Sequence, residues 1–152
     1  MILEPAKLCD REAVNALARQ VHELHVNWQP EYYTHTDCLY DPERFRQAIA
    51  DDALYVAKMD GEIVGYVLLP VLEISHSGLV PSRTLKLEEI CVADGCRHNG
   101  IGHQIMEDVQ RIGRQKGCTD IRLTCAPQNE AAIALYESCG MTVKNIQYRL
   151  KL

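Results

Sequence analysis

Apolar residues recur at helical spacing from Asp10 to about Asn27. Val14, Leu17, Val21, Leu24 and Trp28 share one face there, and Asp10 can cap the start. The preceding ILEPAKL, residues 2–8, reads as a first strand, with Pro5 keeping it near a sheet edge. Pro42 in the first turn of DPERFRQAIA predicts a short second helix. The pattern then changes. ALYVAKMDGEIVGYVLLPVLEI holds two β-rich runs around Asp60-Gly61, a dipeptide suited to tight hairpin turns. RTLKLEEICVA, 83–93, reads as one further strand. Ile101, Ile105, Met106, Val109 and Ile112 form an apolar helical face, and Gly117 ends that helix after Arg114 and Lys116. CTDIRLTCA is again strand-like. Asn129 can cap a helix to about Cys139, with Gly140 as its stop. MTVKNIQYRLKL closes with a strand pair or one broken strand, in which Ile146, Tyr148, Leu150 and Leu152 alternate.

The order β-α-α-β-β-β-α-β-α-β predicts an α/β chain of mixed α+β type, largely antiparallel in its first half. Residues 83–125 should form a right-handed crossover between parallel strands. WQPEYYTHTDCLYDP and SHSGLVPS read as loops, and no repeat or linker interrupts the 152 residues. We therefore expect a single domain over 1–152.

Composition narrows the function. Apolar residues make up 47% and charged residues 24%, and no run approaches the roughly 20 residues of a membrane span. MILEPAKLCD lacks a basic start followed by an apolar block, so no signal peptide and a cytoplasmic location are expected. The net charge of −5 argues against a nucleic-acid partner. It suits a cationic substrate, although it is equally a solubility feature. Seven cysteines, an odd number without a C-x-x-C pair, predict neither a disulfide framework nor a zinc site. His22 and His25 lie three apart, but no third ligand joins them, so they read as helix-surface residues and no metal is expected.

The candidate chemistry begins at CVADGCRHNGIGHQIM, where a strand gives way to a helix. A helix start carries free N–H groups and partial positive charge, which bind anions. Glycines there let a phosphate approach the backbone. Arg97, His98, Asn99, Gly100, Ile101, Gly102 and His103 can thus form a diphosphate cradle. Two glycines serving turn geometry alone would look the same. The run is neither a Walker loop nor a dinucleotide fingerprint, because Ile105 stands where a third glycine belongs.

With LEEICVA before it, an amphipathic helix after it, and NEAAIALYESCGM about 27 residues on, the chain resembles the GNAT family of N-acetyltransferases. The two blocks cover 83–141, and the element order extends the likeness over essentially the whole chain. The resemblance implies a central mixed, mostly antiparallel sheet of six to seven strands, about four flanking helices, and a β-α-β core binding acetyl-CoA. It departs from the family at His98 and Asn99, where Gly and Lys are frequent, and at Met141, where Phe is common. Fewer cations then face the phosphates, which leaves more to backbone amides and Arg97.

The resemblance further implies direct transfer of acetyl from acetyl-CoA to a primary amine, on a small molecule or a peptide. An amine of pKa about 10.4 must lose a proton. Glu88 is favoured as the base, through water, with Glu89 next. Adjacent strand residues face opposite sides, and both could equally belong to a solvated strand face. Amides of Ile90, Cys91 and Val92 would stabilise an oxyanion and pair with the pantetheine arm. Asn129 and Ala132 open the second motif, and Tyr136 is the candidate acid for the departing thiolate. Without the motif, Tyr136 would read as a core residue beside Ile133. Trp28, Tyr32, Tyr33 and Tyr40 could wall an acceptor pocket, and Glu31, Asp37 and Glu73 could attract an ammonium group. The alternative is a non-catalytic acyl-CoA-binding regulatory module. The alternating last strand could also pair with a second copy, making a homodimer.

Overall fold

The computed structural model describes residues 2–152. Seven strands and four α-helices follow in the order β1 (Leu3–Pro5), α1 (Arg11–Trp28), α2 (Pro42–Ala50), β2 (Leu54–Met59), β3 (Glu62–Leu68), β4 (Val71–Ile74), β5 (Ser82–Lys86), β6 (Glu89–Val92), α3 (Ile101–Gln115), β7 (Asp120–Arg122) and α4 (Glu130–Ser138). Short 3-10 turns at Leu8–Asp10 and Asp94–Cys96 precede α1 and α3. The mixed, mostly antiparallel α+β architecture agrees with the expected fold class.

Local chemistry explains most boundaries. Asp41 caps α2 by accepting from the amides of Glu43 and Arg44, both at 2.9 Å, with Pro42 in the first turn. Asp60 and Gly61 both take positive φ, 51° and 85°, as a two-residue primed hairpin turn requires. Asn129 Oδ1 caps α4 by accepting from Ala132 N at 3.2 Å, and Gly140, at φ 83°, follows that helix. Asp10 behaves differently from the expected α1 cap. Its side chain makes no capping bond to α1 and instead accepts from Lys7 N at 2.8 Å.

Strands β1-β2-β3-β6 form one antiparallel sheet, with Pro5 in its edge strand. Strands β4-β5-β7 form a second, in which β5 and β7 run parallel across α3. The continuous strand expected over 83–93 is therefore two strands in two sheets. The reason lies in consecutive amides: Leu87 N donates to Arg122 O at 2.9 Å, and Glu88 N donates to Leu68 O at 2.9 Å. The chain changes sheets between them. A companion break falls at Leu69-Pro70, where Leu69 N reaches Ala53 O at 2.7 Å and Pro70 O accepts from Lys86 N at 2.9 Å. Past Leu87 the sheets diverge, and among the described residues no strand lies beside the outer edge of β6.

Alternation along β2 and β3 sends side chains into two cores. Ala57 and Val67 join Ile105, Met106 and Val109 of α3, while Val56, Tyr66 and Leu68 join Val14, Leu17 and Phe45 of α1 and α2. Buried Asp108 on α3 accepts from the amides of Ile2 (2.7 Å) and Leu3 (2.9 Å), fastening the first strand to the helix. At Gly65 the sheet admits no side chain, since a Cβ would stand 2.5 Å from Cys91 O. Gly65→Ala must push β6 away and should cost about 1–3 kcal/mol in urea denaturation.

Residues 142–152 form neither the expected strand pair nor one broken strand. They are exposed throughout and belong to no ladder. The alternation is present, but none of the described residues pairs with it.

Candidate active site

The divergence of β6 from the chain beyond β7 opens a cleft of about 2280 Å³, lined by Glu88, Glu89, Ile90, Leu123, Asn129 and Tyr136 among others. Ala93 N donates to Val64 O at 2.8 Å, and Cys91 stands opposite Tyr66 in the same ladder. Antiparallel alternation then turns the Cys91 and Ala93 amides toward β3, and those of Ile90 and Val92 to the free edge, where Ile90 lines the cleft. Cys91 itself is buried, with Sγ donating to Leu17 O at 3.4 Å. Burial pushes its thiol up to about 12, against a weaker opposing pull from Arg97. It stays a neutral thiol, not a nucleophile.

The cradle stands at the start of α3. Gly100 is the N-cap, left-handed at φ 76°, ψ 0°, and a Cβ there would meet nothing within 4 Å. His98 also takes positive φ, 63°. The first turn of α3 contains no acidic side chain. Its free amides therefore present positive potential to open space, which suits a diphosphate. Arg97 is held beside them by Asp94 at 2.9 Å and by its Nε–H on Val92 O at 3.3 Å. Asn99 donates to Cys96 O at 3.5 Å, and His103 Nε2 lies 2.9 Å from Ser138 Oγ, joining α3 to α4. Gly102 has a second role. A Cβ there would lie 3.1 Å from Leu135 Cδ2, so this glycine also lets α4 pack on α3, and Gly102→Val perturbs both functions. Asn99→Asp separates them. A new acid beside the helix start should stabilise α3 by about 0.3–1 kcal/mol. The same charge should weaken coenzyme A binding about tenfold or more by repulsion. Calorimetric titration and thermal melting read the two opposite signs.

The neighbouring glutamates have different surroundings. Glu88 is exposed at the sheet switch, with Lys86 Nζ 3.0 Å from Oε1. Glu89 is held from three sides. Its Oε2 accepts from Tyr40 Oη (2.8 Å) and Tyr66 Oη (2.7 Å), and its Oε1 from Arg44 Nη2 (2.7 Å). Burial first, then the Glu89 charge, pushes both tyrosine hydroxyls far above their ordinary value. The Arg44 guanidinium also lies 4.3 Å from the Tyr40 ring centroid. Asn15 clamps the Tyr40 backbone, accepting from its N–H and donating to its carbonyl, both at 2.8 Å. Tyr40, Arg44, Tyr66 and Asn15 escaped the sequence reading as a group. The one local signal was a polar Asn15 inside the apolar face of α1.

Tyr136 is half-buried against Cys125 and the α3-side core, and burial, then Cys125, pushes its hydroxyl above the ordinary value. Of the acceptor-pocket residues, Tyr32 and Tyr33 are exposed beside the cleft. Tyr40 is wholly buried, and Trp28 packs edge-on against His25. Glu31 and Glu73 already pair with Arg149 and Arg83. His22 and His25 bind the carbonyls of Thr34 and Val21. All seven cysteines are free.

A splayed pair of sheets whose edge strand β6 runs into a glycine-opened helix start defines the class. The acetyltransferase (GNAT) family pattern matches residues 19–141, and the chain belongs to that family. It is 32% identical over 88 residues to an uncharacterized N-acetyltransferase of Lactobacillus delbrueckii, covering 58% of this chain and 50% of that protein. It is 28% identical over 99 residues to an aminoglycoside N(6')-acetyltransferase of Salmonella typhimurium, covering 64% and 68%. The match to a thialysine N-epsilon-acetyltransferase of Sus scrofa is 33% over 78 residues, covering 51% and 44%. The chain thus spans about half the length of the first of these relatives. The BH1408 protein of Bacillus halodurans, crystallised as a tetramutant, superposes with TM-score 0.93 at 26% identity over the whole of both chains. The fold is also that of an aminoglycoside N-acetyltransferase, AAC(6')-Iy, solved with CoA (TM-score 0.69, 20% identity, 99% of each chain).

Proposed function

We propose that the chain is an acetyl-CoA-dependent N-acetyltransferase acting on a primary amine. The observation that carries this reading is the cleft lined by Glu88, Ile90 of β6 and Tyr136 together, with β6 running on into the glycine-opened α3 start, tied back to it by Arg97 Nε–H on Val92 O. Acetyl-CoA supplies an activated acetyl thioester. The amides at Gly100–His103, with Arg97, hold its phosphates, and the Ile90 and Val92 amides on the free edge of β6 are fixed donors for an oxyanion. Glu88 accepts the amine proton, directly or through water. Glu89 accepts from three donors and instead fixes Tyr40, Tyr66 and Arg44, of which Tyr66 lines the cleft. The Tyr136 hydroxyl gives a proton on the leaving-group side.

Amine acceptors are favoured by the relatives, whose names specify an aminoglycoside 6'-amine and the ε-amine of thialysine. Both are cations in water, in keeping with the chain's −5 charge. The test is free-thiol release from acetyl-CoA across a panel of aminoglycosides, lysine analogues, polyamines and peptide amines. Turnover with at least one amine is expected. Coenzyme binding without release across the panel would leave a regulatory acyl-CoA module instead, and melting protection by ATP or NAD but not by CoA would leave a nucleotide-binding domain.

Tyr136→Phe should lower kcat about 10²-fold while leaving coenzyme affinity within about twofold, since the ring and its packing persist. A raised hydroxyl keeps its proton longer as pH rises. The wild-type rate should therefore show no alkaline decline from Tyr136 below about pH 10, its unperturbed value. A decline centred near pH 8 that Tyr136→Phe abolishes would contradict this.

A further inference from the structure

Gln20 lies on α1, 71 to 74 residues from the three groups its side chain meets. It is half-buried, and both ends of its carboxamide are used. Nε2 donates to Val92 O at 3.1 Å and lies 3.5 Å from Cys91 Sγ, and Oε1 accepts from Asp94 N at 3.1 Å. In a strand, the carbonyl of one residue and the amide two positions on point to the same side. Val92 O and Asp94 N are such a pair, on the outer edge of β6, where among the described residues no strand lies. The Gln20 carboxamide therefore stands where a peptide group of a neighbouring strand would. It leaves the Ile90 and Val92 amides untouched.

The same two residues anchor Arg97. Its Nε–H donates to Val92 O at 3.3 Å, and its Nη2 lies 2.9 Å from Asp94 Oδ1. Arg97 and Gln20 thus meet on one carbonyl and hold one aspartate, Arg97 by its carboxylate and Gln20 by its backbone amide. The loop between β6 and α3 has little else to fix it. Cys96 N donates to Ala93 O at 2.8 Å, Arg97 N to Asp94 O at 3.3 Å, and Asn99 Nδ2 to Cys96 O at 3.5 Å, all within the loop. Among the described residues, the bond from Asp94 N to Gln20 is the one hydrogen bond that reaches from 94–99 to an element beyond β6 and α3.

We infer that Gln20 is a positioning residue for the coenzyme, fixing Val92 and Asp94 and through them Arg97 and the approach to α3. The inference rests on the acetyltransferase reading, in which Arg97 and the Gly100–His103 amides hold the diphosphate. Binding is tighter when the groups that meet the ligand are already in place. Gln20 gives up its side-chain freedom when the protein folds, so the coenzyme does not have to order the loop. Its reach ends at the last residue of β6. The backbones of Ile90 and Cys91 are set by the ladder to Val67 and Tyr66, so the acetyl-transfer end of the strand does not depend on it.

Gln20→Leu keeps the bulk of the side chain and loses both bonds. The expected result is a split. Kd for CoA and KM for acetyl-CoA rise about tenfold, while kcat at saturating acetyl-CoA and KM for a responsive amine stay within about twofold. Hydrogen exchange at the Asp94 amide should be faster in the free variant. Gln20→Glu keeps the acceptor for Asp94 N and loses the donor to Val92 O. It should shift the coenzyme constants in the same direction with the Asp94 amide still protected. A glutamine with a purely structural role would lower the melting temperature without this split. Folded variants that both bind CoA as the wild type does, or a loss shared by kcat and both KM values, would overturn the inference alone. A wild type that binds no CoA in calorimetric titration would remove the acetyltransferase reading and the role of Gln20 with it.

Discussion

Glu88→Gln is expected to cut kcat by about 10²–10⁴-fold, the range a positioned general base supplies, with coenzyme affinity and melting temperature nearly unchanged. Nothing structural depends on this side chain. It is exposed and its carboxylate pairs with Lys86, an ion pair of the kind that contributes about 0–1 kcal/mol at a surface. Gln keeps the shape and removes the basic lone pair. Steady-state kinetics with a responsive amine, set beside CoA titration of the same protein, checks both halves. Full activity in Glu88→Gln would remove this carboxylate from the mechanism and return attention to its neighbour.

Glu89→Ala is expected to do the reverse first, by destabilising the fold. Two buried tyrosine hydroxyls lose their acceptor, at about 1–3 kcal/mol each. Arg44 loses the carboxylate that neutralises it. Glu89 keeps some solvent contact, so water recovers part of the loss, and a net cost of about 3 kcal/mol follows, or roughly 6–12 °C in Tm. Glu89→Gln, which can still accept a hydrogen bond, should retain much of that stability. Differential scanning calorimetry of the two variants separates lost hydrogen bonds from lost charge. A Glu89→Ala protein that melts with the wild type would show that the tyrosines do not rely on this acid.

The contrast between these adjacent residues shows where sequence was legible. Features set by a few consecutive residues were readable: the Asp60-Gly61 turn, the Asn129 cap, Gly117 and Gly140 after their helices, and the glycine-opened start of α3. The change of sheet at Leu87 and Glu88 was not, because LKLEEICV has the composition of one continuous strand. Only the distant carbonyls of Arg122 and Leu68 divide it. The Glu89 cluster was hidden for the same reason. Its partners arrive from 49, 45 and 23 residues away, and a Tyr in a loop gives no sign that it will be wholly buried. Asp108 gave no sign of its role, which is to accept two amides from the start of the chain. The final alternating run has the period of a strand, yet 142–152 joins no ladder, because periodicity does not supply a neighbouring edge.

The two places where the chain passes between sheets, Leu69-Pro70 and Leu87-Glu88, lie side by side, so the sheets meet like the covers of a book along a short spine. The spine is pinned at Leu69, Leu87 and Glu88, whose amides bond Ala53 O, Arg122 O and Leu68 O. Helix α3 packs on both covers, against Ala57 and Val67 of one and Leu85 and Ile121 of the other, so a shared core sets the opening between them. Glu88 sits on the spine itself, where its backbone is anchored on both sides of the change of sheet.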